Sequence, residues 1–126
     1  MAKFDIYTAN VHFTDKQESK RRPIIQIKNN PNAPNAFAMI SGTKKKLYAG
    51  DVNILNWKEA GLTEPSRVRL GERLDCPESI KTKHPVGKLS IEDAIEVQIQ
   101  FNTPHKIKKH FAEELDDEFT LHSFLE

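Results

Sequence analysis

Apolar and polar positions alternate from Asp5 to Phe13, so that Tyr7, Ala9, Val11 and Phe13 share one face. A period of two predicts a strand with one buried side. The polar stretch TDKQESKRR over 14–22 reads as a loop. PIIQIK over 23–28 is β-branched and opens on proline, which suits a strand start. NNPNAPN over 29–35 is a turn region, and AFAMIS over 36–41 is a third strand. GTKKKLYAG over 42–50 is a basic loop with glycine at both ends. A fourth short strand is expected over 51–54. A short helix is expected over 55–60, closed by Gly61. Over 66–74, Val68 and Leu70 alternate with Arg67 and Arg69, which predicts a strand with a basic outer face, and Gly71 marks a possible bulge in it.

Two helices are expected next. Ser90 stands three residues before Asp93, ahead of an apolar stripe of Ile91, Ala94, Ile95 and Ile99, a capping-box start. Thr103-Pro104 breaks that helix, and proline suits the first position of another. There Ile107, Phe111 and Leu115 fall four apart. Strands joined by short loops and followed by helices predict a mostly antiparallel sheet. The expected fold is mainly β, a small curled barrel with C-terminal helices.

The chain has 126 residues, which argues for one domain. Its single cysteine, Cys76, forms no internal disulfide, and no apolar run reaches membrane-span length. The MAKFDIYTAN start lacks a signal-peptide apolar region, so a cytoplasmic protein without membrane contact is expected. A formal net charge of +1 argues against a nucleic-acid binder only if it is evenly spread, and it is not. Residues 1–109 carry all 19 basic residues and a net +7, whereas 110–126 carry six acidic residues and no Lys or Arg. The basic residues cluster as Lys20, Arg21, Arg22; Lys44, Lys45, Lys46; and Arg67, Arg69, Arg73. A +7 body attracts polyanions.

No metal-ligand spacing stands out among the five histidines, and no phosphate loop or nucleophile motif is present. No cofactor or metal is expected. Arg22 and Ser41 stand at strand ends, and if strands 23–28 and 36–41 belong to one curled sheet, the two reach a shared groove. An arginine fork and a neighbouring hydroxyl suit phosphodiester transesterification, in which the RNA 2′-hydroxyl is the nucleophile.

Three stretches, in order, carry a family likeness. KRRPIIQIKNN resembles the RPVLVIQN strand of the MazF/PemK toxin endoribonucleases. SGTKKKLYAGDVNILNWKEAGLTEPSRVRLGERL is similar to that family's next section, and KHPVGKLSIEDAIEV to the start of its C-terminal helix. The resemblance spans about Asp5 to Gln100. It implies an SH3-like barrel over 1–101, usually a homodimer, that cuts single-stranded RNA without metal, and an antitoxin protein as partner. It implies Arg22, Ser41 and Arg69 as catalytic residues. Lys20, Arg21, Thr43, Lys44, Lys45, Lys46 and Glu72 are expected to contact RNA. Gly71 stands where some members carry aspartate, with Glu72 beside it, and the general base stays open because arginine barely deprotonates.

Residues 102–126 form an acidic amphipathic extension beyond the resemblance. It is expected either to pack on the barrel as a helix or to fold over the basic groove as an inhibitor. The competing function is a barrel that has lost catalysis and holds RNA or a protein partner.

Overall fold

The computed structural model describes residues 3–12, 19–76, 83–103 and 107–116. Among the described residues, seven strands and one helix follow one another. They are β1 (Asp5–His12), β2 (Ser19–Gln26), β3 (Phe37–Gly42), β4 (Asp51–Ile54), β5 (Ser66–Asp75), β6 (Gly87–Lys88), α1 (Ile91–Phe101) and β7 (Lys108–Asp116). The fold is mainly β, as expected. β1 pairs with β2, β2 with β3 and β3 with β5, all antiparallel. β5 then pairs with β7 in parallel and β7 with β1 antiparallel, so the pairings close on themselves. β4 is added beside β5, and β6 beside β1. Five strands can close a circuit only if one neighbouring pair runs parallel, and β5–β7 is that pair.

Successive residues of a strand point to opposite faces, and here both faces are buried. Ile6, Ile25, Ala38, Ile40, Val68 and Leu70 pack on one side with Ile54, Leu62, Leu89 and Val97 of α1. Tyr7, Ala9, Val11, Ile24, Phe37, Met39 and Leu74 pack on the other. The expected Tyr7, Ala9, Val11 face is therefore real, while Phe13 lies outside the described residues. Tyr7 meets Phe37 edge-on with ring centroids 6.0 Å apart.

Several expectations are corrected. β2 begins at Ser19, so Arg22 is a strand residue paired with Ala9 instead of a loop residue ahead of a strand. Residues 55–60 are turns and not a helix, although Gly61 ends them at φ +89° as a left-handed residue does. Where the second C-terminal helix is expected, 108–116 instead form β7, inserted between β5 and β1. An apolar repeat of four is a multiple of two as well as about one helical turn, so the spacing of Ile107, Phe111 and Leu115 does not by itself separate a strand from a helix. What decided between them is tertiary, because β1 and β5 each offer β7 an edge.

α1 starts where the capping box places it, with Ser90 Oγ accepting from the Asp93 amide at 3.2 Å. Its orientation is not the expected one. Asp93 and Val97 face the core, and Ile91, Ile95 and Ile99 are exposed. The Asp93 carboxylate accepts from the Leu55 and Asn56 amides, both at 2.9 Å. These two bonds fix the helix's rotation, and they turn the isoleucine stripe outward.

Candidate nucleic-acid interface

Strand alternation selects which basic residues of β2 can act together. Lys20, Arg22 and Ile24 point to one face, that of the Tyr7 cluster, and Arg21 points to the other. On β3 the same face carries Phe37, Met39 and Ser41. Ile24 stands opposite Met39, so the next residues along that face, Arg22 and Ser41, run together beyond the core's rim. Met39 in turn stands opposite Arg69 of β5. The result is a groove of about 330 Å³ lined by Lys20, Arg22, Ser41, Lys45, Lys46, Tyr48, Arg69 and Glu72 over a floor of Met39 and Ile40.

Glu72 reaches this groove through a register break. Ala38 pairs with Arg73 but Met39 with Arg69, so the register shifts across 70–72 of β5. Gly71 is the centre of that break, where the sequence marks a bulge. A bulge re-aims the side chains next to it.

The arginines of β5 are buried, not the outward basic face expected of them. Arg67 donates from Nη1 to the Lys45 carbonyl at 3.0 Å, from Nη2 to the Thr43 carbonyl at 3.4 Å, and from Nε to Asn53 Oδ1 at 3.1 Å. Arg69 donates from Nη2 to the Lys46 carbonyl at 2.7 Å and from Nη1 to Asp51 Oδ2 at 3.1 Å. The two guanidiniums thus hold the backbone of the lysine loop from beneath while Lys44, Lys45 and Lys46 stay exposed. Both partners of the Arg69–Asp51 ion pair are out of water, with side chains 6% and 1% exposed. Burial raises the Asp51 carboxyl above its ordinary range, against the opposing pull of the Tyr48 amide, Arg69 and Arg67. Arg73 is buried too, with Nε on the Leu70 carbonyl at 2.9 Å and its guanidinium 4.8 Å from the Phe101 ring centre.

Of the ten residues singled out from sequence, seven meet in the groove: Arg22, Ser41, Arg69, Lys20, Lys45, Lys46 and Glu72. Arg21, Thr43 and Lys44 are not part of its lining. Tyr48, missed from sequence, lines the groove with more than half its surface open. An exposed aromatic within a run of lysines was the available signal.

Among the described residues, no group of three or more His, Cys, Asp or Glu side chains is arranged to hold a metal ion. Burial pushes the Cys76 thiol far up, so it is no thiolate at neutral pH. No helix among the described residues is long and apolar enough to cross a membrane. No family model matches the chain, and no curated protein matches it.

Proposed function

We propose that the chain is an endoribonuclease of the MazF/PemK toxin type, an SH3-like barrel that cleaves single-stranded RNA without a metal ion. The observation that carries this reading is the convergence of Arg22, Ser41, three lysines and Glu72 on one groove. The motif resemblance supports it independently. The four groove cations besides Arg69 neutralise phosphates and hold the strand.

In the proposed reaction the RNA 2′-oxygen attacks the adjacent phosphorus. The O2′–P bond forms, the P–O5′ bond breaks, and the products carry a 2′,3′-cyclic phosphate and a 5′-hydroxyl. Arg22 and Ser41 donate hydrogen bonds to the non-bridging oxygens as negative charge builds on them. The Glu72 carboxylate takes the 2′ proton, a task for which arginine is unsuited. A lysine ammonium of the groove protonates the departing O5′. Arg69 acts mainly as a positioning residue, because two of its donor nitrogens already hold Asp51 and the Lys46 carbonyl.

The commitment of Arg69 to Asp51 favours one second reading, a barrel that binds RNA without cutting it. Purified protein incubated with mixed-sequence single-stranded RNA in EDTA separates the two. Cleavage that is lost in Arg22→Ala supports the nuclease. Retained binding with intact RNA would leave only the binding module. The family likeness further proposes a cytoplasmic homodimer restrained by an antitoxin protein, and co-purification with a small acidic chain would test that partner.

A further inference from the structure

A second recess, of about 500 Å³, adjoins the groove and shares Tyr48, Arg69 and Glu72 with it. Ala49, Gly71 and Ile107 complete its apolar wall, and Asp51 lies beside Arg69. We propose that this recess is a stacking subsite for one unpaired nucleobase, with the Tyr48 ring as its platform. The proposal rests on the reading of the groove as a single-stranded RNA site.

Three observations carry it. First, Tyr48 is 54% exposed, although it belongs to a tightly held turn. The Tyr48 amide donates to Asp51 Oδ2 at 2.9 Å, and the Asp51 amide donates back to the Tyr48 carbonyl at 3.1 Å. Gly50 takes φ +90° to complete that turn, and its carbonyl accepts from the Leu70 amide at 3.2 Å. An aromatic side chain displayed on a pinned backbone loses little freedom when a ligand stacks on it. Second, the Arg69 guanidinium lies 4.8 Å and the Lys46 ammonium 5.6 Å from the ring centre. A ring flanked by cations suits a ligand that is flat and anionic at once, as a nucleotide is. Third, the apolar recess and the cationic groove are immediate neighbours, since Tyr48, Arg69 and Glu72 line both. A sugar–phosphate chain in the groove therefore reaches the recess with its base. An apolar peptide side chain would have no use for the lysines.

The test measures binding of two non-cleavable probes, a short mixed-base 2′-O-methyl oligonucleotide and an abasic backbone of equal length. Wild type is compared with Tyr48→Ala and Tyr48→Phe, with the fold of each checked by urea unfolding. Stacking predicts that Tyr48→Ala weakens oligonucleotide binding by roughly 5- to 150-fold. It also predicts that Tyr48→Phe restores that binding, and that the abasic probe is held equally by all three proteins. If Tyr48→Ala weakens both probes equally, or neither, the stacking subsite is wrong while the RNA groove stands. If the wild type binds neither probe, the RNA reading fails and the subsite with it.

Discussion

The Arg69–Asp51 pair offers a sharp test of how the lysine loop is held. Removing one partner leaves the other ionised and nearly out of water, which typically costs about 3–5 kcal/mol. Arg69→Met should therefore destabilise the chain by about that amount, and Asp51→Asn by somewhat less, because an amide oxygen still accepts from Arg69. Replacing both removes two desolvated charges together, and the double variant should be more stable than the sum of the singles by about 2 kcal/mol or more. The two partners share Nη1 and Oδ2 at 3.1 Å, close enough to couple. Burial has already raised the Asp51 carboxyl. A carboxyl with a raised folded-state value contributes stability below its unfolded value, and that contribution fades as pH rises through the folded one. Without Arg69 the value rises further, so Arg69→Met should regain stability on acidification from neutral pH relative to wild type. Urea unfolding of the four proteins at pH 7 and pH 5, with equal m-values, provides the measurement. Additive single effects, or an Arg69→Met penalty independent of pH, would show that the pair is solvated and does not secure the loop.

Three further outcomes follow from the packing. Asp93→Ala leaves the Leu55 and Asn56 amides without their acceptor, so it should cost about 3–5 kcal/mol in chemical denaturation. Gly87→Ala would place a Cβ 1.9 Å from the Ala60 carbonyl oxygen, and thermal unfolding should register a loss of about 3 kcal/mol. The Tyr7 hydroxyl is buried with no hydrogen-bond partner among the described residues, so Tyr7→Phe should be neutral or stabilising at pH 7. Burial, with Asp5 and Cys76 adding to it, pushes the Tyr7 phenol up to about 12. Wild-type stability should thus hold below pH 10 and fall as pH rises from 10 towards 12, by up to about 2.7 kcal/mol, a loss that Tyr7→Phe lacks.

Local patterns in the sequence were sufficient wherever one element decided its own state. The alternation at Tyr7, Ala9 and Val11, the Ser90 cap and Asp93, and the break at Gly71 are all legible without the fold. Beyond the start of β2 and the turns over 55–60, two features were not, because another element decided them. Asp93 turned α1 by bonding to a distant turn, and so exposed the stripe of Ile91, Ile95 and Ile99. The edges of β1 and β5 made a strand of 108–116. The site followed the same division. Arg22 and Ser41 could be found by their positions at the ends of expected strands, and Lys20 by the basic cluster it shares with Arg22, although 14–22 read as a loop. The inward turn of Arg67 and Arg69 could not, since it depends on loop carbonyls that only the folded chain brings to them.

Placing β7 in the sheet also changes the view of the acidic C-terminus. Residues of 108–116, Glu114 and Asp116 among them, pair with β5 and β1 through their backbones. The expected inhibitory fold-over now concerns 117–126 alone, which lie outside the described residues.

The most direct test of the proposed reaction is the identity of the ends it leaves. Mixed-sequence single-stranded RNA is incubated in EDTA with wild type and with Arg22→Ala, and the fragments are analysed by mass spectrometry. The transesterification account predicts 2′,3′-cyclic phosphate and 5′-hydroxyl ends from the wild type and uncut RNA from the variant. Intact RNA with the wild-type protein, or fragments bearing 5′-phosphates, would contradict it.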